Sequence, residues 1–259
     1  MTNPCVWFEV TGRDPATLRS FYSQLFGWRI RSGDQAAALE YSLVEPAKRG
    51  VPGGIGSVPG GGCGQATFYV DVCDPTSFLA RAEELGGRIV QPTSEITGVG
   101  LPFAQFADPE DNIVGLVNAA GRDLEGWTWE TGAGPCASQN PVLSFEVMGR
   151  DPKALRGFYG ELFGWGFRRA SAFDYWLVDS GDRGVVGGIG PTATAGRPPL
   201  GGFATFKVEV VDPQTILAGA EELGGRTVMP ATSVPGTDFK IAYFADPEGH
   251  VIGLTKGMA

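Results

Sequence analysis

The chain has one histidine in 259 residues, His250, and that scarcity excludes most chemistry built on imidazole. Zinc and non-haem iron centres draw on several histidines, and a Ser–His or Cys–His catalytic pair needs one well placed. Cysteine is also scarce. Cys5, Cys63, Cys73 and Cys136 form no C-x-x-C pair, so reduced structural thiols in a cytoplasmic protein are expected rather than a disulfide frame. Apolar runs never approach the roughly 18 residues of a membrane-spanning helix. Met1–Val10 also lacks the basic-then-apolar order of a secretory signal. Positive charge is in deficit too, 20 Lys and Arg against 29 Asp and Glu, for a net charge of −9. With no basic stretch, neither nucleic acid nor an anionic membrane is an expected partner.

Glycine, by contrast, is abundant at 40 residues, beside an ordinary 42% of hydrophobic residues. So many glycines imply tight turns or close approaches of backbone. The length suits one large domain or two ordinary ones, and an internal repeat decides between them. Phe8-Glu9-Val10 returns as Phe145-Glu146-Val147, and Gly12-Arg13-Asp14-Pro15 as Gly149-Arg150-Asp151-Pro152. Leu25-Phe26-Gly27-Trp28 returns as Leu162-Phe163-Gly164-Trp165, and Gly53-Gly54-Ile55-Gly56 as Gly187-Gly188-Ile189-Gly190. Residues 82–88 are identical to 220–226, and 106–110 to 244–248. Two homologous domains, 1–119 and 141–259, are expected around a linker, 120–140, which Trp127 and Trp129 would pin to a surface.

Each half divides again. Val6–Val10 reads as a strand and Asp14-Pro15 as a helix start, Asp capping free N–H groups and Pro bringing its fixed φ. Leu18, Phe21, Tyr22 and Leu25 share one helical face, and Gly27 ends the helix. Strands are expected at Trp28–Arg31, Ala38–Val44 and Val51–Ser57. The order then restarts: strand Ala66–Val72, a helix from Asp74-Pro75 to Gly86-Gly87, and strands at Arg88–Gln91, Phe103–Phe106 and Ile113–Val117. This is a βαβββ module four times over, with later helix starts at Asp151-Pro152 and Asp212-Pro213.

The strand–Asp-Pro–helix ending Phe-Tyr-x-x-Leu-Phe-Gly-Trp, the Ala-Glu-Glu-Leu-Gly-Gly helix end and the closing Ala-Asp-Pro-Glu turn resemble the vicinal oxygen chelate superfamily. That superfamily includes glyoxalases, bleomycin-resistance proteins and extradiol dioxygenases, and the likeness is greatest to its tandem-domain actinobacterial members. The resemblance implies an α+β fold in which four βαβββ modules form two domains with cupped eight-stranded mixed sheets. It also implies a divalent metal held by His, Gln and Glu at fixed strand positions. Carried over residue by residue, those positions fall on Trp7, Gln65 and Gly115 in the first half and Ser144, Phe203 and Gly253 in the second. The fourth-strand position falls within the Gly-Gly-Ile-Gly runs. Gln65 alone could ligate, and one neutral amide oxygen does not hold a catalytic divalent ion. No metal or other cofactor is expected, and glyoxalase I or dioxygenase activity loses its Lewis acid. His250, after Asp246-Pro247-Glu248-Gly249, is expected to be an exposed turn residue.

Strand alternation separates a uniformly apolar face (Phe8, Val10, Phe68, Val70 and their repeats) from a mixed one. The mixed face carries Trp7, Glu9, Thr67, Tyr69 and Gly115, and in the second half Ser144, Glu146, Thr205, Lys207 and Gly253. Gly115 and Gly253 are expected to leave room for a bulky ligand. Glu9 and Glu146 are the carboxylates placed alike in both halves, candidates for general acid or base or for ligand contact. A structural role competes, including an ion pair of Glu146 with Lys207. The Gly-rich runs are no phosphate loop, since no helix follows and no Lys-Ser/Thr closes them. The expected function is metal-independent binding of an apolar or aromatic small molecule by a monomer or homodimer. The alternatives are a metal-free isomerase, cyclase or tailoring enzyme using Glu9 or Glu146, and a structural protein with vestigial pockets.

Overall fold

Every Asp-Pro pair expected to open a helix does so. In a computed structural model describing residues 3–32, 40–47, 49–58, 62, 64–96, 101–119, 140–170, 174–181, 184–192 and 202–257, the helices are α1 (Pro15–Phe26), α2 (Pro75–Glu84), α3 (Pro152–Phe163) and α4 (Pro213–Glu222). Asp14, Asp74, Asp151 and Asp212 each accept a backbone N–H of the first turn. Gly27 and Gly164 end α1 and α3 at φ of 67° and 70°, a left-handed conformation that side-chain-bearing residues resist.

Hydroxyls in the first turn tie the caps down. Thr17, Ser77 and Thr215 donate to Asp14, Asp74 and Asp212 and are the leading cause of their lowered pKa values. An acid whose pKa is depressed on folding contributes stability above its unfolded value and loses it as pH falls through the folded one. Thermal melting is therefore expected to decline below about pH 4. The triple variant D14N/D74N/D212N, whose amides still cap, should show a flatter acid limb in melts at successive pH values.

The first eight strands are β1 (Cys5–Gly12), β2 (Ile30–Ser32), β3 (Ser42–Val44), β4 (Gly53–Ser57), β5 (Gln65–Asp71), β6 (Arg88–Ile96), β7 (Leu101–Ala107) and β8 (Ile113–Val117). Their sheet runs β2-β3-β4-β1-β5-β8-β7-β6. The other eight are β9 (Val142–Gly149), β10 (Gly166–Arg169), β11 (Trp176–Asp179), β12 (Val186–Pro191), β13 (Phe203–Glu209), β14 (Arg226–Ser233), β15 (Lys240–Ala245) and β16 (Val251–Lys256). They repeat the order as β10-β11-β12-β9-β13-β16-β15-β14. Parallel pairs such as β1 with β4 and β5 with β8 sit among antiparallel hairpins, so both sheets are mixed. The fold is α+β, four βαβββ modules in two eight-stranded sheets.

Boundaries differ where a side chain has other business. The second strand starts at Ile30 and not at Trp28, because the Trp28 ring is buried and its Nε1 donates to the Asn140 carbonyl at 2.8 Å. β6 runs on to Ile96, past the expected Gln91, through two register shifts against β7. Residues 38–39 of the strand expected to begin at Ala38, the linker tryptophans Trp127 and Trp129, and Cys63 and Cys136 lie outside the described residues. Cys5 is buried and Cys73 exposed, both unbridged.

Chain contacts define two compact units, and each takes one module from either half. One comprises Trp7–Ala66, Thr128–Ser144 and Thr205–Ala259; the other comprises Met1–Val6, Thr67–Trp127 and Phe145–Ala204. In the former, Phe8 packs on Phe206 and Phe21 on Phe244, with ring centroids 4.6 and 5.9 Å apart. Tyr22, fully buried, donates to Asp246 at 2.8 Å. Both Glu248 oxygens accept the backbone N–H groups of Arg13 and Asp14 ahead of α1, each at 2.8 Å. The other unit repeats these contacts. Phe68 packs on Phe145, Tyr159 donates to Asp108 at 2.9 Å, and Glu110 receives the N–H groups of Arg150 and Asp151.

His250 is a correction. It is buried, not exposed, and its Nδ1 lies 2.8 Å from Asp246 Oδ2. Asn112 fills the same place in the other unit, donating to Asp108 at 2.8 Å. The reason is the turn itself: the buried aspartate faces several N–H groups, and the residue four positions later supplies another donor.

Candidate functional site

β1 and β9 each present a glutamate on the face opposite their core phenylalanines. Phe8 and Val10 point into the apolar core, so alternation turns Trp7 and Glu9 the other way. Glu9 is nonetheless 8% exposed. Tyr41, just before β3, donates its hydroxyl to Glu9 Oε1 at 2.9 Å and accepts from Trp7 Nε1 at 3.3 Å. The glycines of β4 make this possible: a Cβ on Gly54 or Gly56 would overlap the Tyr41 ring. In the other unit, Tyr175 donates to Glu146 Oε1 at 2.5 Å and lies equally close against Gly188 and Gly190. Burial, and then the neighbouring Glu9 charge, push the Tyr41 phenol well above its ordinary pKa. Tyr41 therefore stays protonated and donating throughout the physiological range.

Sequence reasoning missed both tyrosines. They fell in or near strands read only as sheet, although Tyr41-Ser-Leu-Val and Tyr175-Trp-Leu-Val were a visible repeat.

The remaining expected site residues separate into local groups. Tyr69 covers Gly115, its register partner on β8, and receives Gln105 Nε2 at 2.7 Å. The stem of Lys207 covers Gly253 in the same way, with Tyr243 alongside. Both glycines therefore accommodate side chains of this chain, which corrects the expectation that they leave room for a ligand. Thr67 and Thr205 are buried, and their hydroxyls donate to the carbonyls of Ile113 and Val251 at 2.6 and 2.7 Å, fastening neighbouring strands. Ser144 is buried, and Gln65 and Phe203 are half-buried first residues of β5 and β13. Glu146 and Lys207 belong to different compact units.

The residues at the superfamily's metal positions do not fit the ion. Trp7, whose N–H is already donated, the covered Gly115 and Gly253, Ser144 and Phe203 bring no anionic oxygen or imidazole, and the neutral amide of Gln65 is left as a lone candidate ligand. Among the described residues, no three or more His, Cys, Asp or Glu side chains are grouped to hold a metal. No helix among them is long and apolar enough to cross a membrane.

The chain belongs to the glyoxalase-like domain family, which it matches twice, over residues 7–117 and 144–255. Solved structures with the same fold include a Mn(II)-bound glyoxalase from Novosphingobium aromaticivorans. It is 14% identical with a TM-score of 0.62, the match covering 100% of this chain and 83% of that one. The 2,2′,3-trihydroxybiphenyl 1,2-dioxygenase of Sphingomonas wittichii is similar at 14% identity and a TM-score of 0.60, covering 99% and 91%. A variant of 4-hydroxymandelate synthase from Streptomyces coelicolor is similar at 12% and 0.58, covering 98% and 92%. At such identities the likeness is one of fold. Comparison with curated protein sequences returns no significant match.

Proposed function

We propose that this protein is a metal-independent member of the family that binds a small molecule with an apolar or aromatic body beside its carboxylate–tyrosine pairs. One observation carries the reading. A nearly buried glutamate holding a tyrosine hydroxyl recurs in both halves, on the strand face where the superfamily places its metal, while among the metal positions Gln65 alone bears a group that could ligate. Burial of a carboxylate is costly and persists where hydrogen bonds offset it. Small-molecule sites need little more than apolar walls and a few such fixed polar groups.

A thermal-shift screen of the full chain with aromatic metabolites and antibiotics is expected to give stabilising hits that survive chelation by EDTA. Flat curves throughout would count against binding, and hits lost with EDTA would count against metal independence. For a confirmed ligand, calorimetry should show Glu9→Gln or Glu146→Gln weakening affinity by about tenfold, the scale of one charge-assisted hydrogen bond. Unchanged affinity in both variants would remove the glutamates from the site.

A further inference from the structure

In a chain of net charge −9, Arg156 on α3 and Arg169 on β10 pair with no carboxylate among the described residues. The two meet at one ring. Trp176 opens β11 and its register partner on β10 is Arg169, so both side chains leave the sheet on the same face. That face looks towards α3: Phe167, two residues before Arg169, packs against Gly160, one turn after Arg156. The Arg156 guanidinium lies over the Trp176 ring, 3.6 Å from its centroid, and its Nε donates to the Pro152 carbonyl at 3.3 Å. Stacking and hydrogen bond together hold the guanidinium plane, and its two terminal nitrogens have no partner among the described residues. Asp174 accepts from Trp176 Nε1 at 3.3 Å and from neither arginine. Arg169 is exposed, Arg156 and Trp176 are half-exposed, and exposed Lys153 neighbours Arg156 on the helix surface. In the first half the repeated positions hold Arg19, Ser32 and Ser42, so the cluster belongs to the second half alone.

We infer that Arg156, Trp176 and Arg169 form a binding site for the phosphate monoester group of a small soluble molecule. A guanidinium fork matches phosphate oxygens two at a time, and two forks with an ammonium group near by answer a charge of about −2. The chain's overall negative charge disfavours an extended polyanion, whereas a single phosphate is met by these local cations. The inference does not depend on the binding function proposed above. Alternation sends Tyr175 to Glu146 on one face and Trp176 to α3 on the other.

The test is titration of the full chain with glycerol 3-phosphate, acetate and glycerol at pH 7.5, followed by NMR at the Trp176 indole N–H, a signal identified by its loss in Trp176→Phe. The phosphate ester is expected to shift that signal saturably and to bind at least about tenfold more tightly than acetate, with no response to glycerol. Arg156→Gln and Arg169→Gln should each weaken the ester about tenfold. Arg168→Gln removes the same charge from the opposite face of β10 and should leave affinity unchanged. Melting curves of each variant confirm folding before titration. Equal binding of ester and acetate, no shift with the ester, or an equal loss in Arg168→Gln and Arg169→Gln would overturn the site. Sedimentation with phosphatidic acid vesicles by a chain that ignores the free ester would overturn the soluble source of the phosphate.

Discussion

A valine at Gly54 is expected to destabilise the protein by about 3 kcal/mol or more, among the largest effects a single substitution here can have. The first added carbon would overlap the Tyr41 hydroxyl and ring. Tyr41 cannot yield without giving up its bond to Glu9 and its contact with Trp7, and Glu9 would remain buried with that donor lost. Chemical denaturation measures the loss, and ligand affinity should fall with it. A change below about 1 kcal/mol would show that Tyr41 has another comfortable position. The same reasoning sets an expectation for Gly115→Glu, which would restore a glutamate at a superfamily metal position. The Tyr69 ring already occupies that space, so the variant should lose stability and gain no metal.

Removing the Asp246 carboxylate is expected to cost about 3–5 kcal/mol. Asp246 is buried and accepts from the Tyr22 hydroxyl at 2.8 Å and from the backbone N–H groups of Glu248 and His250 at 3.0 and 2.9 Å. Its Oδ2 also contacts His250 Nδ1. Asp246→Ala strands all of these polar groups away from water, and the turn that carries Glu248 to the start of α1 loses its frame. Tyr22→Phe, which deletes one donor and strands less, should cost about 1 kcal/mol. Added to Asp246→Ala it should cost almost nothing further, because the partner is already gone. Full additivity in that double-mutant cycle would mean that the two groups act separately.

Burial raises the pKa of Asp108, the corresponding group in the other unit, against the donors that lower it. Its sign is opposite to that of the helix caps. Between the unfolded and folded values the folded chain binds the extra proton, so falling pH favours folding through this group. Asp108→Asn should therefore deepen the acid loss of stability, while the triple cap variant makes it shallower.

What the sequence made legible was local and repetitive. Asp-Pro starts, glycine stops and alternating strands are set by neighbours in the chain, and four copies of each reinforced the reading. Alternation also placed Glu9 and Glu146 on the mixed face. It could not say which distant side chain folds over that face. Tyr41 reaches Glu9 only because β4 lacks side chains at Gly54 and Gly56, a fact of cross-strand register and not of local pattern. Gly115 shows the same limit: a missing glutamate read as open space, until the register of β5 on β8 placed Tyr69 over it. His250 misled because a turn histidine is ordinarily solvated, whereas this turn wraps a buried aspartate. The crosswise assembly of modules into compact units rests on Tyr22–Asp246 and Tyr159–Asp108, contacts between sequence-distant residues that no periodicity announces.

We propose that the face where this superfamily chelates a metal carries, in this chain, carboxylate–tyrosine contacts and covered glycines that hold none. Elemental analysis of the purified full chain, after incubation with Mn(II), Fe(II), Ni(II) and Zn(II) and removal of unbound ions, tests it most directly. Metal far below one ion per chain is expected, with the same melting temperature with and without the ions. About one divalent ion for each half, raising the melting temperature as a site-bound ion must, would contradict it.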